Sequence, residues 1–309
     1  MLALAGMLLV FAAVFGGFLM ERGNPWVLLQ PAELLIIGGA AIGIVLVSNP
    51  LPVIRKMGRG IVATLRGPAP DRGAFLRHLR MLYEVFAYTQ RARSMAAIEN
   101  DVEDPAKSAI FSNYPEFLAD HGVRDFVCDT LRMMGIGATE PHELDLLMDL
   151  DNDVRSRGNH EPVRALSSIA DSLPGLGIVA AVLGVVITMG AIGAAPETIG
   201  QKVAAALVGT FLGILLCYGV VGPLAARLEN LSDSQAQFLQ VLRIAIVTFS
   251  RGASPILAVE YARRSIPVEL RPSFLDLEST IRRDAHVPAV PNPAGPSQDT
   301  HATPAAGAA

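Results

Sequence analysis

The sequence has few of the residues that build disulfide, metal and catalytic sites. Only two cysteines, Cys128 and Cys217, occur in 309 residues, too few for a disulfide framework. The six histidines are scattered, and none has a neighbour at metal-ligand spacing. The Walker loop, Gly-x-Ser-x-Gly and His-Glu-x-x-His motifs are absent as well. We therefore expect no enzyme, no bound metal or organic cofactor, and no nucleic-acid partner.

Charge is missing from four stretches of the chain. Asp, Glu, Lys and Arg do not occur in residues 1–20, 34–54, 172–196 and 203–226. Each stretch reaches the roughly 20 residues that a helix needs to cross about 30 Å of hydrocarbon. With 51% hydrophobic residues overall, a soluble monomer is excluded. The sequence predicts four transmembrane helices, the first retained because it lacks the basic start of a signal peptide.

Basic residues indicate how the four spans are oriented. Arginine and lysine recur in residues 55–66, just after the second span, and in residues 155–164, before the third. Arg227 follows the fourth span, whereas the links 21–33 and 197–202 hold one basic residue each. Because cytoplasmic flanks are enriched in basic residues, we expect both termini inside and both links outside.

The segments outside the spans read as helical. Phe75, Leu79, Leu82 and Phe86 recur at helix period, and residues 143–150 and 224–250 also have helical character. Gly and Pro break the pattern at residues 67–70. We predict an all-α membrane protein with a large helical cytoplasmic domain and a C-terminal cytoplasmic helical extension. Its predicted parts are residues 1–54 (first two spans, link 21–33), 55–171 (cytoplasmic domain), 172–226 (last two spans), 227–286 (C-terminal helices) and 287–309 (disordered tail).

Prolines and closely spaced glycines occur within the predicted spans. Pro174 and Pro223 lie at the inner ends of the third and fourth spans, at what we take to be the same depth. Proline frees a backbone carbonyl and loosens a helix, so the pair suggests a movable inner gate. Helix-end prolines without a dynamic role remain the alternative. The pairs Gly39–Gly43 and Gly209–Gly213 predict close helix packing.

Ionisable side chains are absent from the middle of the predicted spans. The spans offer hydroxyls at Thr188, Thr210 and Tyr218, and the Cys217 thiol. Asp171 stands at the cytoplasmic mouth of the third span. Because an intramembrane proton relay needs an ionisable group, a carboxylate would have to come from a partner helix.

Several runs resemble the A subunits of the bacterial flagellar motor stator (MotA/PomA) over residues 1–285. They are Gln-Pro-Ala-Glu-Leu at 30–34, Asp-Ser-Leu-Pro-Gly-Leu-Gly-Ile-Val-Ala-Ala at 171–181, Val-Gly-Thr-Phe-Leu-Gly-Ile-Leu-Leu at 208–216, Glu-Asp-Pro at 103–105, Asn-Tyr-Pro at 113–115 and Arg-Pro-Ser-Phe at 271–274. The resemblance implies a multi-pass protein of the bacterial inner membrane that converts ion flow into torque on the flagellar rotor, and so drives motility.

The resemblance also implies partners and functional residues. The expected assembly is five A subunits around two MotB-like B subunits, each with one transmembrane helix carrying an ion-binding Asp and a peptidoglycan-binding domain. The family's functional prolines correspond to Pro174 and Pro223, and its fourth-span hydroxyl corresponds to Thr210. Its charges for the rotor protein FliG correspond to Glu99 and to Arg91, with Arg93 as an open alternative to Arg91. If residues 91–99 form one helix, these charges lie about 12 Å apart.

Ala181 bears on the coupling ion. Sodium-driven members of the family carry Thr where this chain has Ala181, which offers no side-chain oxygen. We therefore expect protons as the coupling ion.

Two alternative functions remain. The chain could be an energy-transducing subunit like those of the ExbB/TolQ systems, or a membrane scaffold without ion flux. The paired N-terminal spans argue against the ExbB/TolQ-like subunit.

Overall fold

The computed structural model describes residues 2–66, 70–137, 139–190, 193, 195–284 and 287–288, and every regular element in this part of the chain is helical. We number its α-helices α1 (Leu2–Met20), α2 (Pro31–Ser48), α3 (Leu51–Arg66), α4 (Arg72–Ala92), α5 (Glu99–Glu103), α6 (Pro115–Ala119), α7 (His121–Ile136), α8 (Pro141–Met189), α9 (Pro196–Leu216), α10 (Gly222–Ser250), α11 (Pro255–Ser265) and α12 (Phe274–Asp284). The predicted break at residues 67–70 and the predicted tail 287–309 fall largely outside the described residues.

Four helical stretches are long and apolar enough to cross a membrane. They are Ala3–Met20, Pro25–Ser48, Pro141–Met189 and Pro196–Ser250. This confirms the predicted class, an all-α protein with four transmembrane helices and a large helical region between the second and third.

The helix of the second span ends before the charge-free run does. The apolar run continues to residue 54, but α2 ends at Ser48 and α3 begins at Leu51. Asn49 is extended, with φ −133° and ψ 139°. A residue that precedes proline is disfavoured in the helical region, so Pro50 separates the two helices even though hydropathy does not change.

The third span continues into a much longer helix than the sequence indicated. The expected helix at residues 143–150 and the expected span at 172–196 are parts of one 49-residue helix, α8. On the C-terminal side, α9, a π-helical stretch Cys217–Val221 and α10 follow one another without a loop. Charge patterning therefore did not mark the ends of these helices.

The chain divides into two compact units. The first contains residues 1–74 and 146–241, and the second contains residues 75–145 and 242–309. Helices α8 and α10 each contribute residues to both units. The predicted boundaries at residues 54, 171 and 226 rest on membrane topology and not on compactness, so they stay predictions.

In the first unit, α8 runs antiparallel to α9 and α10. One cluster joins Ile37 of α2 with Leu173 and Ala180 of α8 and Cys217 of the π-helical stretch. A second cluster joins α8 to α10. It consists of Val163, Leu166, Ala225 and Leu228. The guanidinium of Arg227 donates to the carbonyl of Thr64 over 2.9 Å, which ties α3 to α10.

The second unit has buried side chains on α4, α7 and the C-terminal helices. Phe75, Leu79, Leu82 and Phe86, the predicted apolar face of α4, are all buried. The Phe86 ring stacks on Phe249 with 4.2 Å between ring centres. Cys128 of α7 is buried and free, and burial raises the pKa of its thiol to about 12.

Candidate ion-pathway site

Glycine brings α8 and α9 into backbone contact in the first unit. A β-carbon added at Gly177 would lie 2.8 Å from the carbonyl oxygen of Gly209 and 3.1 Å from the Cα of Gly213. One added at Gly213 would lie 2.6 Å from the carbonyl oxygen of Leu173. We call the contact of Gly177 with Gly209 and Gly213 the glycine seam. The close packing predicted for Gly209–Gly213 is thus confirmed.

The other predicted glycine pair behaves differently. A β-carbon added at Gly39 or Gly43 would meet nothing within 4 Å in the described part of the chain. The close packing predicted for Gly39–Gly43 is therefore not found among the helices that the structure describes.

The structure brings Ala181 and Thr210 to the glycine seam. A β-carbon at Gly177 would lie 3.3 Å from the Cα of Thr210, and one at Gly209 would lie 3.2 Å from the amide nitrogen of Ala181. Both residues are partly exposed. Two residues that the resemblance placed on the ion pathway therefore border the same helix contact.

The two prolines are not level with each other. Leu173 contacts Gly213, so Pro174 stands near Gly213. The cluster of Leu166 with Ala225 and Leu228 lies farther along α10, and Pro223 falls just before Ala225 in that part of the helix. The two prolines are therefore separated by several residues along the helix pair. The expectation of equal depth is wrong because the last charge-free residues of antiparallel helices need not face each other.

The helix around Pro223 is distorted. Pro223 comes two residues after the π-helical stretch Cys217–Val221, and its side chain is exposed. Proline cannot donate its backbone nitrogen, and π-helical turns are common where a helix absorbs such a defect. Pro174, in contrast, lies inside the uninterrupted α-helix α8. Asp171 precedes it on α8 and is exposed. A gating role for either proline stays a prediction.

Glu33 is a carboxylate that the sequence analysis missed. It was placed in the outward link, but it is the third residue of α2 and only 7% exposed. A β-carbon at Gly209 would lie 2.6 Å from its Oε2, and one at Gly184 would lie 3.6 Å from its Oε1. A carboxylate therefore lies in the packed interior of the first unit, in the first turn of α2, where the sequence analysis had placed only a link.

The sequence did contain a signal for this placement. Proline is favoured in the first helical position, so Pro31 marks the start of α2 before the charge-free run begins. Counting in steps of four from Glu33 gives Ile37, Ala41 and Val45, and all four residues are buried. Glu33 thus begins the face of α2 that packs against the rest of the unit.

The predicted rotor residues lie in the second unit, on different elements. Arg91 is exposed near the end of α4, and Glu99 is exposed at the start of α5. Between them Arg93 adopts a left-handed backbone with φ 53°, and residues 95–98 form a 3₁₀ turn. The 12 Å estimate assumed that residues 91–99 form one helix, so it does not apply here. Arg93 is also exposed, so the choice between it and Arg91 stays open.

Metal ligands do not cluster in the part of the chain that the structure describes. No group of three or more His, Cys, Asp or Glu side chains there is placed to hold a metal ion.

Family comparisons cover most of the chain. Residues 4–93 match the family described as Motility protein A N-terminal. Residues 118–240 match the MotA/TolQ/ExbB proton channel family. The first match spans α1 and α2, the helix pair that argued against an ExbB/TolQ-like subunit.

Individual relatives agree with these families. Motility protein A of Salmonella typhimurium is 38% identical over 95% of this chain and 97% of its own length. Motility protein A of Escherichia coli gives the same values. Chemotaxis protein LafT of Vibrio parahaemolyticus is 34% identical over 88% of this chain and 95% of its own length.

Solved structures share the fold. A chain of the C. jejuni MotAB structure superposes with a TM-score of 0.72 and 17% identity, covering 88% of this chain and 98% of that one. A chain of the flagellar MotAB stator complex from Bacillus subtilis gives a TM-score of 0.69 and 19% identity, covering 89% of this chain and 98% of that one.

The family relationship is established by sequence, because two motility proteins are 38% identical to this chain over nearly their full length. This chain belongs to the Motility protein A family of flagellar motor stator subunits.

Proposed function

We propose that this chain is the A subunit of a flagellar motor stator, which forms a proton channel with a B subunit and converts proton flow into torque on the rotor. The observation that carries the proposal is the glycine seam. It presses two membrane helices together and places Ala181 and Thr210 beside the contact. The family supplies the setting in which such a helix pair lines an ion pathway.

The B partner is a MotB-like subunit with one transmembrane helix, an ion-binding Asp and a peptidoglycan-binding domain. The surface of α8 is consistent with a partner helix in the membrane. In the single chain it exposes four large apolar residues: Ile178, Val182, Val185 and Val186. Such an apolar surface is covered by lipid or by other helices. The solved relatives are named as MotAB complexes, which fits an assembly of two kinds of chain. We propose five A subunits around a B dimer.

The proposed location is the bacterial inner membrane, with both termini in the cytoplasm. This orientation places α4 and α5 on the cytoplasmic side. Arg91 and Glu99 are exposed there, where the rotor protein FliG would meet them. Exposed charges of opposite sign can engage separate charges on a partner and set its orientation. The role proposed for the chain is mechanical and not catalytic.

Protons are the proposed coupling ion, and no organic cofactor takes part. Ala181 places a methyl group at the glycine seam, and Thr210 supplies one hydroxyl. A dehydrated sodium ion needs several oxygen ligands to replace its water, whereas protonation of a carboxyl needs none. The donor set at the seam therefore suits protons better than sodium.

Reconstitution tests the proposal. The chain alone in liposomes should give no proton flux, because it lacks the partner's carboxyl and the pathway is interrupted. The complex with the B partner should conduct protons and restore swimming to a strain without stators. Loss of both on changing the partner's Asp to Ala is the expected control. Swimming that stays absent with an assembled complex, or flux through the chain alone, would contradict the proposal.

A further inference from the structure

Helix packing alone does not explain why the carboxyl of Glu33 is buried. We propose that its carboxyl is a second proton-carrying group of the pathway, which passes protons between the outer side and the glycine seam. The inference rests on the proposed stator function. It differs from that function in placing a titrating group on the A subunit itself, in addition to the carboxyl on the partner.

Two glycines leave the space that this carboxyl occupies. Gly184 of α8 and Gly209 of α9 face it, and a β-carbon at Gly209 would lie 2.6 Å from Glu33 Oε2. Any other residue at position 209 would displace the carboxyl from its place. The contact therefore depends on glycine on the facing helix as well as on Glu33.

Glu33 as a whole residue is only 7% exposed. Among the residues that the structure describes, its Oε2 is buried without a hydrogen bond. A purely structural glutamate would be expected to satisfy both oxygens, because an unpaired buried polar atom costs about 1–3 kcal/mol. A group that must accept and release a proton keeps an oxygen available.

Charged and titratable groups are sparse around Glu33. On α9, Lys202 precedes Ala206 by one turn, and Ala206 is the residue beside Gly184. Asp171 lies on α8 toward the other end of the span, and Cys217 follows α9. None of these forms an ion pair with Glu33 in the described part of the chain. A carboxylate without a cation is costly to keep charged in an apolar setting, so protonation is the available way to neutralise it.

Two hydroxyls flank the carboxyl along the helices. Thr188 is buried and donates its hydroxyl to the carbonyl of Gly184 over 2.8 Å. Thr210 is the next residue after Gly209. In the predicted orientation Thr188 lies toward the outside and Thr210 toward the inside. Glu33 thus stands between the outer hydroxyl and the glycine seam.

The proton-transfer step uses these groups, water and the partner's carboxylate. A hydronium ion on the outer side gives a proton to Glu33 Oε2, so one O–H bond of hydronium breaks, one O–H bond forms on the carboxyl, and water remains. The O–H bond on the carboxyl then breaks as the proton passes toward the seam and the partner's carboxylate, which regenerates the Glu33 carboxylate. No electrons change hands, and the membrane potential and pH gradient drive the transfer.

Three variants separate this role from a structural one. Glu33→Gln keeps the size of the side chain but cannot titrate, whereas Glu33→Asp keeps the carboxyl but shortens the side chain. Glu21→Gln removes an exposed carboxylate from the outward link and serves as the matched control. Each is co-produced with the B partner, and the assembled complex is quantified before proton conductance and swimming are measured.

Glu33→Gln should assemble but lose roughly 100-fold in proton conductance, the usual scale for removing a positioned proton-transfer group. Glu33→Asp should keep more conductance than Glu33→Gln, and Glu21→Gln should match the wild type. The opposite order, with Glu33→Gln active and Glu33→Asp impaired, would show a packing role and overturn the inference. A wild-type complex that never conducts would instead count against the proposed function.

Infrared difference spectroscopy on the assembled complex decides the case if Glu33→Gln assembles poorly. Acidification of the wild type should produce a protonated-carboxyl C=O band that moves in Glu33→Asp. Glu33→Gln, in whatever complex forms, should lack it. Spectra that are identical in the wild type and both variants would show that Glu33 does not titrate, and would overturn the inference.

Discussion

Arg263 and Arg264 both donate to the carboxylate of Glu260, but they differ in burial. Arg263 is 11% exposed and also donates to the carbonyl of Pro272 over 2.8 Å, whereas Arg264 is 73% exposed. Arg263→Ala should lower the free energy of local unfolding of α11 and α12 by about 3 kcal/mol, because it removes two hydrogen bonds to the Glu260 carboxylate and the one to the Pro272 carbonyl. Hydrogen exchange of the full chain measures this loss.

Arg264→Ala is the matched control and should cost under about 1 kcal/mol, as exposed ion pairs do. Hydrogen bonds from Arg263 and Arg264 hold the pKa of Glu260 below its ordinary value of 4.5. Its stabilising contribution is therefore complete above pH 4.5 and is lost as the pH falls through the pKa of the folded state. Equal losses for both variants would contradict this assignment.

Charge reversal tests the predicted rotor contacts. Arg91→Glu and Glu99→Lys should each impair swimming while assembly with the B partner stays intact, because exposed charges add little stability. Arg93→Glu tests the open alternative. Swimming speed at low stator expression is the measurement. If neither Arg91→Glu nor Glu99→Lys slows swimming, the contacts carried over from the family do not apply to this chain.

At the residue scale, sequence reasoning found the hydroxyl but not the carboxyl. Thr210 and Ala181 were assigned by resemblance, and the structure places both at the glycine seam. Glu33 was missed because a count of charge-free residues treats any carboxylate as the edge of a span. A carboxylate in the first turn of a helix can still lie inside the packed interior, since its side chain follows the buried face.

At the scale of elements, Gly213 stands at one of the closest contacts between α8 and α9, where an added β-carbon would lie 2.6 Å from the carbonyl oxygen of Leu173. Gly213→Ala should separate the helices and cost about 1–3 kcal/mol, the usual range for overpacking. Gly200→Ala is the control on the same helix, since a β-carbon there would meet nothing within 4 Å among the described residues. Thermal stability of the purified complex is the measurement. Equal stability of the two variants would show that the seam tolerates a methyl group.

Helix existence was easier to predict than helix ends. The apolar face of α4 and all four spans follow from periodicity and hydropathy. The 49-residue length of α8 did not, because it crosses from charged to apolar sequence without a break. Pro162 and Pro174 lie within it. Proline removes one backbone hydrogen bond but does not always end a helix whose sides are packed.

At the scale of the whole molecule, the hydropathy of one chain does not reveal how many subunits assemble. The exposed apolar residues of α8, such as Val182 and Val186, indicate a covered surface. They do not distinguish lipid from a neighbouring subunit, because both are apolar. Subunit number and rotor contacts therefore came from the family resemblance and stay predictions.

Proton flow through this subunit and its partner is proposed to drive rotation of the motor. The most direct test is the rotation speed of motors that contain only this stator, recorded while external sodium is replaced by potassium at constant proton-motive force. Because Ala181 supplies no oxygen ligand for sodium, the speed should stay unchanged, and a protonophore should stop rotation. A speed that follows external sodium while the proton-motive force is held constant would contradict the account.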